Sequence, residues 1–197
     1  MQKEIDIDEL MERPEIKLLM ELLRKCNSEA YCHSYNVAYL TKRMLIEDNG
    51  KTVPFDIHEE VVIGALLHDV GKALLPFNLC QMEASFNKNE YNIVKMHTIL
   101  SLEIVDPVFS DVVKNICHLH HERINGTGYL EGCNMTEIED YVLLVQIADV
   151  YDALTSERAY KKRYTKEDAI KIMDKETKEL RLDDYYLLLL TKVEGED

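Results

Sequence analysis

Apolar residues recur at intervals of three and four along most of the chain, which is the pattern of amphipathic helices. The stretch EIKLLMELLRKC at 15–26 shows this pattern first, and Pro14 suits the first turn of the helix that it predicts. A second helix is predicted from Ser28, a good N-cap residue, to about Glu47, where the letters DNG interrupt the pattern. The sequence contains no strand-like alternation of any length, so it predicts an all-α fold.

Further helices are predicted downstream of this pair, with a glycine-rich loop between two of them. The segment RINGTGYLEGCN at 123–134 contains three of the seven glycines and is predicted to be a loop. The apolar run YYLLLL at 185–190 predicts a closing helix. The remaining helices are predicted at about 56–71, 88–104, 107–122 and 136–156, and from Thr165 onward.

The length and the charge of the chain restrict its function. A chain of 197 residues suits one cooperative domain with a real core. The net charge of −14 would repel a DNA or RNA duplex, so no such partner is expected. An anionic substrate requires a locally positive site, which bound metal ions would provide.

The cysteines and the apolar runs indicate a cytoplasmic protein. None of the five cysteines belongs to a CxxC pair, and their number is odd, which favours reduced thiols over a disulfide framework. The first fifteen residues are acidic and lack the apolar centre of a signal peptide. No apolar run approaches the roughly 20 residues that a membrane span requires, so no membrane partner is expected.

Histidines and carboxylates stand inside or beside the predicted apolar helices. The letters HDVGK at 68–72 follow the run VVIGALL, and a buried His–Asp pair is costly unless its charges and hydrogen bonds are satisfied. Glu29 and His33 are four residues apart, which places both side chains on one helix face. The complete set is Glu29, His33, His68, Asp69, His97, His120, His121 and Asp149.

Taken singly, each of these residues has an ordinary structural explanation, such as a hydrogen-bonded core histidine, a cap or a surface pair. Taken together, they offer imidazole nitrogen and carboxylate oxygen without thiolate, a set that suits Fe, Mn, Zn or Mg. Two ions bridged by a carboxylate form a clamp for phosphoryl hydrolysis. We therefore interpret His68 and Asp69 as metal ligands and Lys72, one turn further on, as a cation directed at the substrate.

Five blocks of sequence, in this order, resemble the HD superfamily of metal-dependent phosphohydrolases. Within this superfamily, the blocks look most like the HD-GYP group, whose members are bacterial cyclic di-GMP phosphodiesterases. The blocks are HSYNVAYL (33–40), LLHDVGK (66–72), MHTILSLEIV (96–105), HHERINGTGY (120–129) and IADVYDALTSERAYKK (147–162).

The resemblance implies an HD-domain helical bundle of about seven helices. The HD-GYP-like catalytic domain would span residues 28–175. A helical N-terminal extension at 1–27 would precede it, and a C-terminal helix and tail at 176–197 would follow.

The resemblance also implies a ligand set for two or three divalent ions. Some family members hold a third metal with a glutamate four residues before the first histidine, a position that is Glu29 here. Asp69 would be the bridging carboxylate. Iron or manganese is expected first, with zinc, magnesium, nickel and cobalt as alternatives. The family's ligand positions fall on His33, His68, Asp69, His97, His120, His121 and Asp149.

Five residues match family positions that contact substrate. Lys72 would contact the scissile phosphate or assist the leaving group, so that Asp69 and Lys72 are the expected catalytic pair. Arg158 and Lys161 match positions that grip phosphate, while Gly128 and Tyr129 lie in the loop that gives the group part of its name.

Three residues depart from the family pattern, and none of them is a ligand position. Asn125 replaces an aspartate, keeping a short polar side chain suited to a turn but losing a charge. Leu130 and Ala159 each replace a proline, and Leu130 releases a backbone angle that proline would fix.

The hypothesis that follows is hydrolysis of cyclic di-GMP, to pGpG and/or GMP, through a metal-bridging hydroxide. One alternative is an HD-superfamily phosphohydrolase acting on another nucleotide or cyclic dinucleotide. Another is a non-catalytic module that binds a nucleotide or a protein partner. A homodimer and a regulatory protein partner both remain open from the sequence.

Overall fold

The computed structural model of the protein describes residues 4–76, 79, 87–129, 131–132, 137–157 and 163–195, and its regular structure over these ranges is helical. Two 3-10 turns, Phe55–Ile57 and Val70–Leu74, flank the fourth helix. The all-α prediction is confirmed. In chain order, helices α1 to α10 span Ile7–Met11, Pro14–Cys26, Ser28–Asp48, His58–Leu67, Lys88–Lys95, His97–Val105, Asp111–Leu119, Asp140–Thr155, Lys166–Lys178 and Asp184–Gly195.

The start of α3 differs by one residue from the prediction. The N-cap is Asn27, whose side-chain oxygen accepts a hydrogen bond from the backbone N–H of Ala30 at 2.9 Å, and Ser28 is the first helical residue. Asparagine and serine cap helices about equally well, so the local sequence allows either choice. The helix ends where DNG predicts, because Asn49 adopts a left-handed φ of 53°.

The predicted helices around the histidines are shorter or broken in the structure. The helix predicted at 56–71 ends at Leu67, so that His68 and Asp69 lie between α4 and a 3-10 turn. The helix predicted at 88–104 is interrupted at Met96, immediately before His97. Apolar periodicity continues across both interruptions, which is why the sequence pattern does not reveal them.

The same shortening occurs at the histidine doublet. The helix predicted at 107–122 is α7, which spans Asp111–Leu119, and His120 follows as its C-cap. Most of the candidate ligands therefore lie at helix ends, where the chain changes direction, while His33 and Asp149 lie inside α3 and α8.

Helix α4 lies at the centre of the core. Every residue from Val61 to Leu67 is buried, as expected for a helix that is apolar on all sides. Helix α3 packs against one side of α4 and α7 against another, while α8 and α10 pack on α3. The core thus holds α3, α4, α7 and α8 in fixed relative positions.

The turn after α4 is held tightly against α6. A Cβ atom on Gly71 would lie 2.1 Å from the carbonyl oxygen of His97 and 2.5 Å from the backbone nitrogen of Ser101, so only glycine allows this approach. The hydroxyl of Ser101 donates to the carbonyl of His68 at 2.9 Å and accepts from the N–H of Gly71 at 2.8 Å. These contacts fix the His68–Asp69 turn relative to His97.

The predictions on disulfides, membrane spans and domain boundaries can be compared with the structure only in part. Among the described cysteines, Cys26, Cys32 and Cys117 form no disulfide, and the remaining two lie outside the described residues. Of the helices in the described ranges, none combines the length and apolar character needed to cross a bilayer. The division of the chain at residues 27 and 175 stays a prediction.

Asp48, at the end of α3, is a fully buried carboxylate that connects α3 to α10. Its oxygens accept hydrogen bonds from the Thr52 N–H at 3.1 Å, the Thr52 hydroxyl at 2.9 Å, the Val53 N–H at 3.2 Å and the Tyr185 hydroxyl at 2.9 Å. Burial raises the pKa of Asp48, but these hydrogen bonds outweigh burial and lower the pKa below its usual value.

Replacing this carboxylate should destabilise the fold. We expect Asp48→Ala to reduce the free energy of unfolding by about 3 kcal/mol near neutral pH, because hydrogen bonds to a charged group are lost. Since the folded-state pKa is lowered, the stabilisation is present above a pH of about 4 and is lost as the pH falls through the folded-state value. Urea denaturation of both proteins across this pH range measures the difference, and a difference that did not shrink in acid would contradict the assignment.

Candidate metal centre

Two groups of side chains in the described part of the chain have ligand atoms close enough together to hold a metal ion. Within each group, the nitrogen or oxygen atoms lie within 4.8 Å of one another. Together the groups contain seven of the eight residues predicted as ligands; the eighth, Glu29, is exposed in the first turn of α3 and belongs to neither. The first group is Asp69, His97, His120 and His121, and the second is His33, His68 and Asp149.

Asp69 lies between the two groups and presents one carboxylate oxygen to each. Its Oδ1 atom lies 3.1 Å from Nε2 of His97 and 3.9 Å from Nε2 of His120. Its Oδ2 atom lies 3.4 Å from Nε2 of His68 and 3.9 Å from Nε2 of His33. With only 1% of its surface exposed, this carboxylate joins the two groups into one buried cluster.

The protein backbone orients three of the imidazoles. Each donates a hydrogen bond from Nδ1 to a main-chain carbonyl, which in the neutral ring leaves Nε2 with a lone pair. In all three rings this Nε2 atom faces Asp69. The acceptors are Ala65 at 2.8 Å for His68, Val94 at 2.7 Å for His97, and Ile116 and Cys117, both at 3.1 Å, for His120.

The cluster contains buried polar atoms without a hydrogen-bond partner, and this tests whether it fits a metal. His68 Nε2 and Asp69 Oδ1 are both buried and unpartnered. The Nε2 atoms of His97 and His120 are only 3.2 Å apart. Converging lone pairs repel one another and are costly to bury, whereas a cation placed among them would satisfy them all. The donor set therefore fits a divalent metal ion.

The pKa shifts of His120, His121 and Asp69 place these three groups in the protonation states that bind metal. Burial lowers the pKa of His120 well below its usual value, and the nearby imidazoles of His68 and His97 lower it further. Burial likewise lowers the pKa of His121. Burial raises the pKa of Asp69, but the charge of Lys72 and the contacts with His68 and His97 outweigh burial and hold this pKa well below the usual range. Neutral imidazoles beside an ionised carboxylate are the forms that metals bind.

His33 is held by two aspartates of α8. Its Nε2 atom lies 2.9 Å from Oδ1 of Asp149, and its Nδ1 atom lies 2.6 Å from Oδ2 of Asp152. Burial lowers the pKa of His33, but these hydrogen bonds outweigh it and raise the pKa to about 9. Asp152 in turn accepts from the Asn36 amide at 3.0 Å and from the Ser156 hydroxyl at 2.8 Å.

Asp152 lies in the same apolar block as Asp149, but it was not among the predicted ligands. It follows Asp149 by three residues and so shares its helix face, which was the available signal. A carboxylate behind a metal-binding histidine typically fixes the tautomer and orientation of the ring.

The loop that follows the histidine doublet folds over the first group. The Oε1 atom of buried Glu122 accepts hydrogen bonds from the N–H groups of Glu131 at 2.9 Å and Gly132 at 3.3 Å. The ring of Tyr129 stacks on that of His121, with centroids 4.6 Å apart and an interplanar angle of 30°. Glu122 is thus a second residue that the sequence prediction missed, since it holds the loop in place.

An open pocket of about 440 Å³ adjoins the first group, a volume typical of small-molecule sites. Its lining includes three predicted substrate residues, Lys72, Gly128 and Tyr129, and two arginines, Arg123 and Arg181. The ammonium of Lys72 donates to Oδ2 of Asp69 at 2.5 Å, which connects the pocket lining to the cluster. The predicted phosphate-binding residues Arg158 and Lys161, and the departures Leu130 and Ala159, lie outside the described residues.

His118 lies apart from the two groups. Its Nε2 atom is 3.4 Å from Oε1 of Glu131. This histidine precedes the doublet by two residues and points elsewhere, so it offers a matched control for substitutions in the cluster.

Gly128 is the position in the loop that is most sensitive to an added side chain. A Cβ atom there would lie 2.4 Å from Cα of Glu122 and 2.6 Å from the backbone nitrogen of Arg123. We expect Gly128→Ala to reduce the free energy of unfolding by about 1–3 kcal/mol, since rigid backbone must move to relieve the clash. Urea denaturation followed by circular dichroism measures this loss.

The control for this substitution is Gly195→Ala, because a Cβ atom at Gly195 meets nothing within 4 Å. An alanine at position 128 as well tolerated as one at position 195 would contradict the described packing of the loop.

Comparison with known proteins supports the architecture. The family profile of the HD domain matches residues 19–185. The chain is 31% identical over 157 residues to the cyclic di-GMP phosphodiesterase PA4108 of Pseudomonas aeruginosa, a match that covers 79% of this chain and 38% of that protein. It is 28% identical over 186 residues to 3'3'-cGAMP-specific phosphodiesterase 1 of Vibrio cholerae, covering 92% of this chain and 41% of that protein.

The chain thus spans about two fifths of the length of these curated relatives. Among solved structures, Bd1817, an HDG"Y"P protein from Bdellovibrio bacteriovorus, matches with a TM-score of 0.67 at 25% identity, over 83% of this chain and 51% of that one. The fold and the superfamily indicated by the sequence blocks are confirmed. The chain belongs to the HD domain family.

Proposed function

We propose that this domain is a metal-dependent phosphodiesterase that hydrolyses a cyclic dinucleotide, with cyclic di-GMP as the first substrate to test. The observation that carries the proposal is the buried Asp69 carboxylate between two sets of imidazoles, beside a pocket that cations line. The names of two relatives, a cyclic di-GMP phosphodiesterase and a 3'3'-cGAMP-specific phosphodiesterase, support the substrate class.

Two divalent ions would be held by the residues of these two groups. One would be held by Asp69 with His97, His120 and His121, and the other by Asp69 with the second group. The absence of thiolate from the donor set favours iron or manganese over softer metals. The exposed position of Glu29 gives a third ion little support.

Ions bound there would supply a Lewis acid and a water nucleophile near neutral pH. The chain's own contribution is to position the substrate and to neutralise its charge. The Lys72 ammonium, beside Asp69 and in the pocket wall, would stabilise negative charge on the phosphoryl oxygens. Arg123, which donates to the carbonyl of Glu122 at 2.8 Å, would place a second cation near the doublet.

The second candidate substrate is 3'3'-cGAMP. The match to the 3'3'-cGAMP-specific relative covers 92% of this chain, a larger share than the match to the cyclic di-GMP phosphodiesterase covers. The two substrates differ in one base and not in the phosphodiester that is cut, so the cluster itself does not choose between them. A non-catalytic module, the remaining alternative, would have no need of ions in the cluster.

The central test is the Asp69→Ala variant. Protein purified anaerobically and loaded with iron or manganese is assayed for metal by elemental analysis and for hydrolysis of both substrates by chromatography. We expect about two ions per wild-type chain, fewer in Asp69→Ala, and a loss of hydrolysis of at least about 100-fold, because both groups lose a shared ligand.

The control is His118→Ala, which removes a histidine outside the cluster and should retain both metal and activity. Undiminished hydrolysis by Asp69→Ala would rule out the proposed mechanism. A wild-type chain without metal or activity after such loading would favour the non-catalytic alternative.

Asp152 provides a graded test of metal binding. We expect Asp152→Ala to weaken metal binding by about 10–100-fold, because His33 loses the carboxylate that orients its ring. Ser156→Ala removes only a hydrogen bond to Asp152 and should have a smaller effect. Competition with a chelator of known affinity measures both constants, and equal affinities for wild type and Asp152→Ala would show that His33 needs no such support.

A further inference from the structure

Arg181 stands at the wall of the pocket in a segment that none of the family-like sequence blocks includes. It lies in the connection between α9 and α10 and contributes to the lining together with Lys72 and Arg123. Its side chain is 44% exposed. It is therefore accessible to a ligand.

The backbone around Arg181 is firmly held. Its N–H donates to the carbonyl of Glu176 at 2.9 Å, and the next residue, Leu182, is 3% exposed and part of the core. The Asn125 amide, from the loop after the histidine doublet, donates to the carbonyl of Glu179 at 2.8 Å. An aspartate at position 125, as in the family pattern, could not donate this hydrogen bond.

The guanidinium of Arg181 is oriented by two carboxylates. Its NH1 atom lies 3.2 Å from Oε2 of Glu176, and its Nε atom lies 3.7 Å from Oε2 of Glu179. Lys175 also pairs with Glu179, at 4.0 Å. The positive charges of these two side chains are cancelled by the negative charges of the two glutamates. The group as a whole therefore offers no net positive charge to a second phosphate of the ligand.

A neutral group with two acceptors on one edge suits this guanidinium better. The Hoogsteen edge of guanine carries O6 and N7, the pair that arginine binds in a bidentate manner, whereas adenine has an amino donor in place of O6. A guanidinium has five N–H donors, more than the two carboxylates use.

The aromatic residues of the pocket complement such a contact. Tyr91 and Tyr129 both line it, and Lys95 Nζ lies 4.7 Å and 4.9 Å from their ring centroids. Stacking on tyrosine holds any base, because every base has a π-face. Selectivity must then come from a group that reads the base edge.

We propose that Arg181, anchored by Asn125 through Glu179 and oriented by Glu176, reads guanine in the bound nucleotide and gives the site a preference for guanine over adenine. This inference deepens the proposed function, on which it rests for the nucleotide class. It assigns Arg181 to the base, and Lys72 and Arg123 to the phosphates.

The test compares binding of two ligands that differ only in their bases. The probes are the bis-phosphorothioate analogues of cyclic di-GMP and cyclic di-AMP, which resist hydrolysis, titrated calorimetrically into the metal-loaded full chain. We expect wild type to bind the guanine analogue about 5- to 150-fold more tightly, the range for one bidentate arginine–guanine contact. In Arg181→Ala the ratio of the two Kd values should fall to within about twofold of unity.

Lys175→Ala is the matched control, because it removes another cation from Glu179 without touching the pocket lining and should keep the wild-type ratio. A wild-type chain that binds both analogues equally, or an Arg181→Ala variant that keeps the preference, would overturn the inference. Hydrolysis of cyclic di-GMP by wild type is measured separately. Its absence would count against the proposed function, while the ratio of Kd values still decides the role of Arg181.

Discussion

The Asp69 side chain is 1% exposed, and four imidazole Nε2 atoms lie within 3.9 Å of its oxygens. A negative charge buried in this way must be balanced by positive charge. In the described part of the chain, Lys72 provides some of that charge to Oδ2 of Asp69. The Oδ1 atom remains unpartnered among lone pairs. Cations on both sides of the carboxylate would satisfy every one of these atoms, and this single requirement connects the fold, the proposed metals and the proposed reaction.

The helix ends are what make this arrangement possible. Asp69 lies after α4, His97 opens α6 and His120 follows α7, so each ligand stands where the backbone leaves a helix. The same ends provide main-chain carbonyls that hold the Nδ1 atoms of the histidines. Because the buried α4 packs against α3, α7 and α8, the fold itself orients these imidazoles.

The sequence predicted the helical class, most helices and the residues that converge on the cluster. The reason is that apolar periodicity reports which helix faces are buried. Burying histidines and carboxylates against such faces costs free energy unless they share a partner such as a metal ion. It did not predict the interruptions at His68 and Met96, because apolar residues continue through them. It also left Asp152 and Glu122 out of the predicted site. The roles of these residues depend on which distant segments come together, and periodicity along the chain carries no such information.

The most direct measurement is anomalous diffraction from crystals of the metal-loaded protein, collected at the absorption edge of the added metal. The account predicts two peaks on opposite sides of the Asp69 carboxylate, about 3.5–4 Å apart as in other two-metal sites. One peak would lie among His97, His120 and His121, and the other among His33, His68 and Asp149. Fully loaded crystals with no peak beside Asp69, or with metal bound only elsewhere, would contradict it.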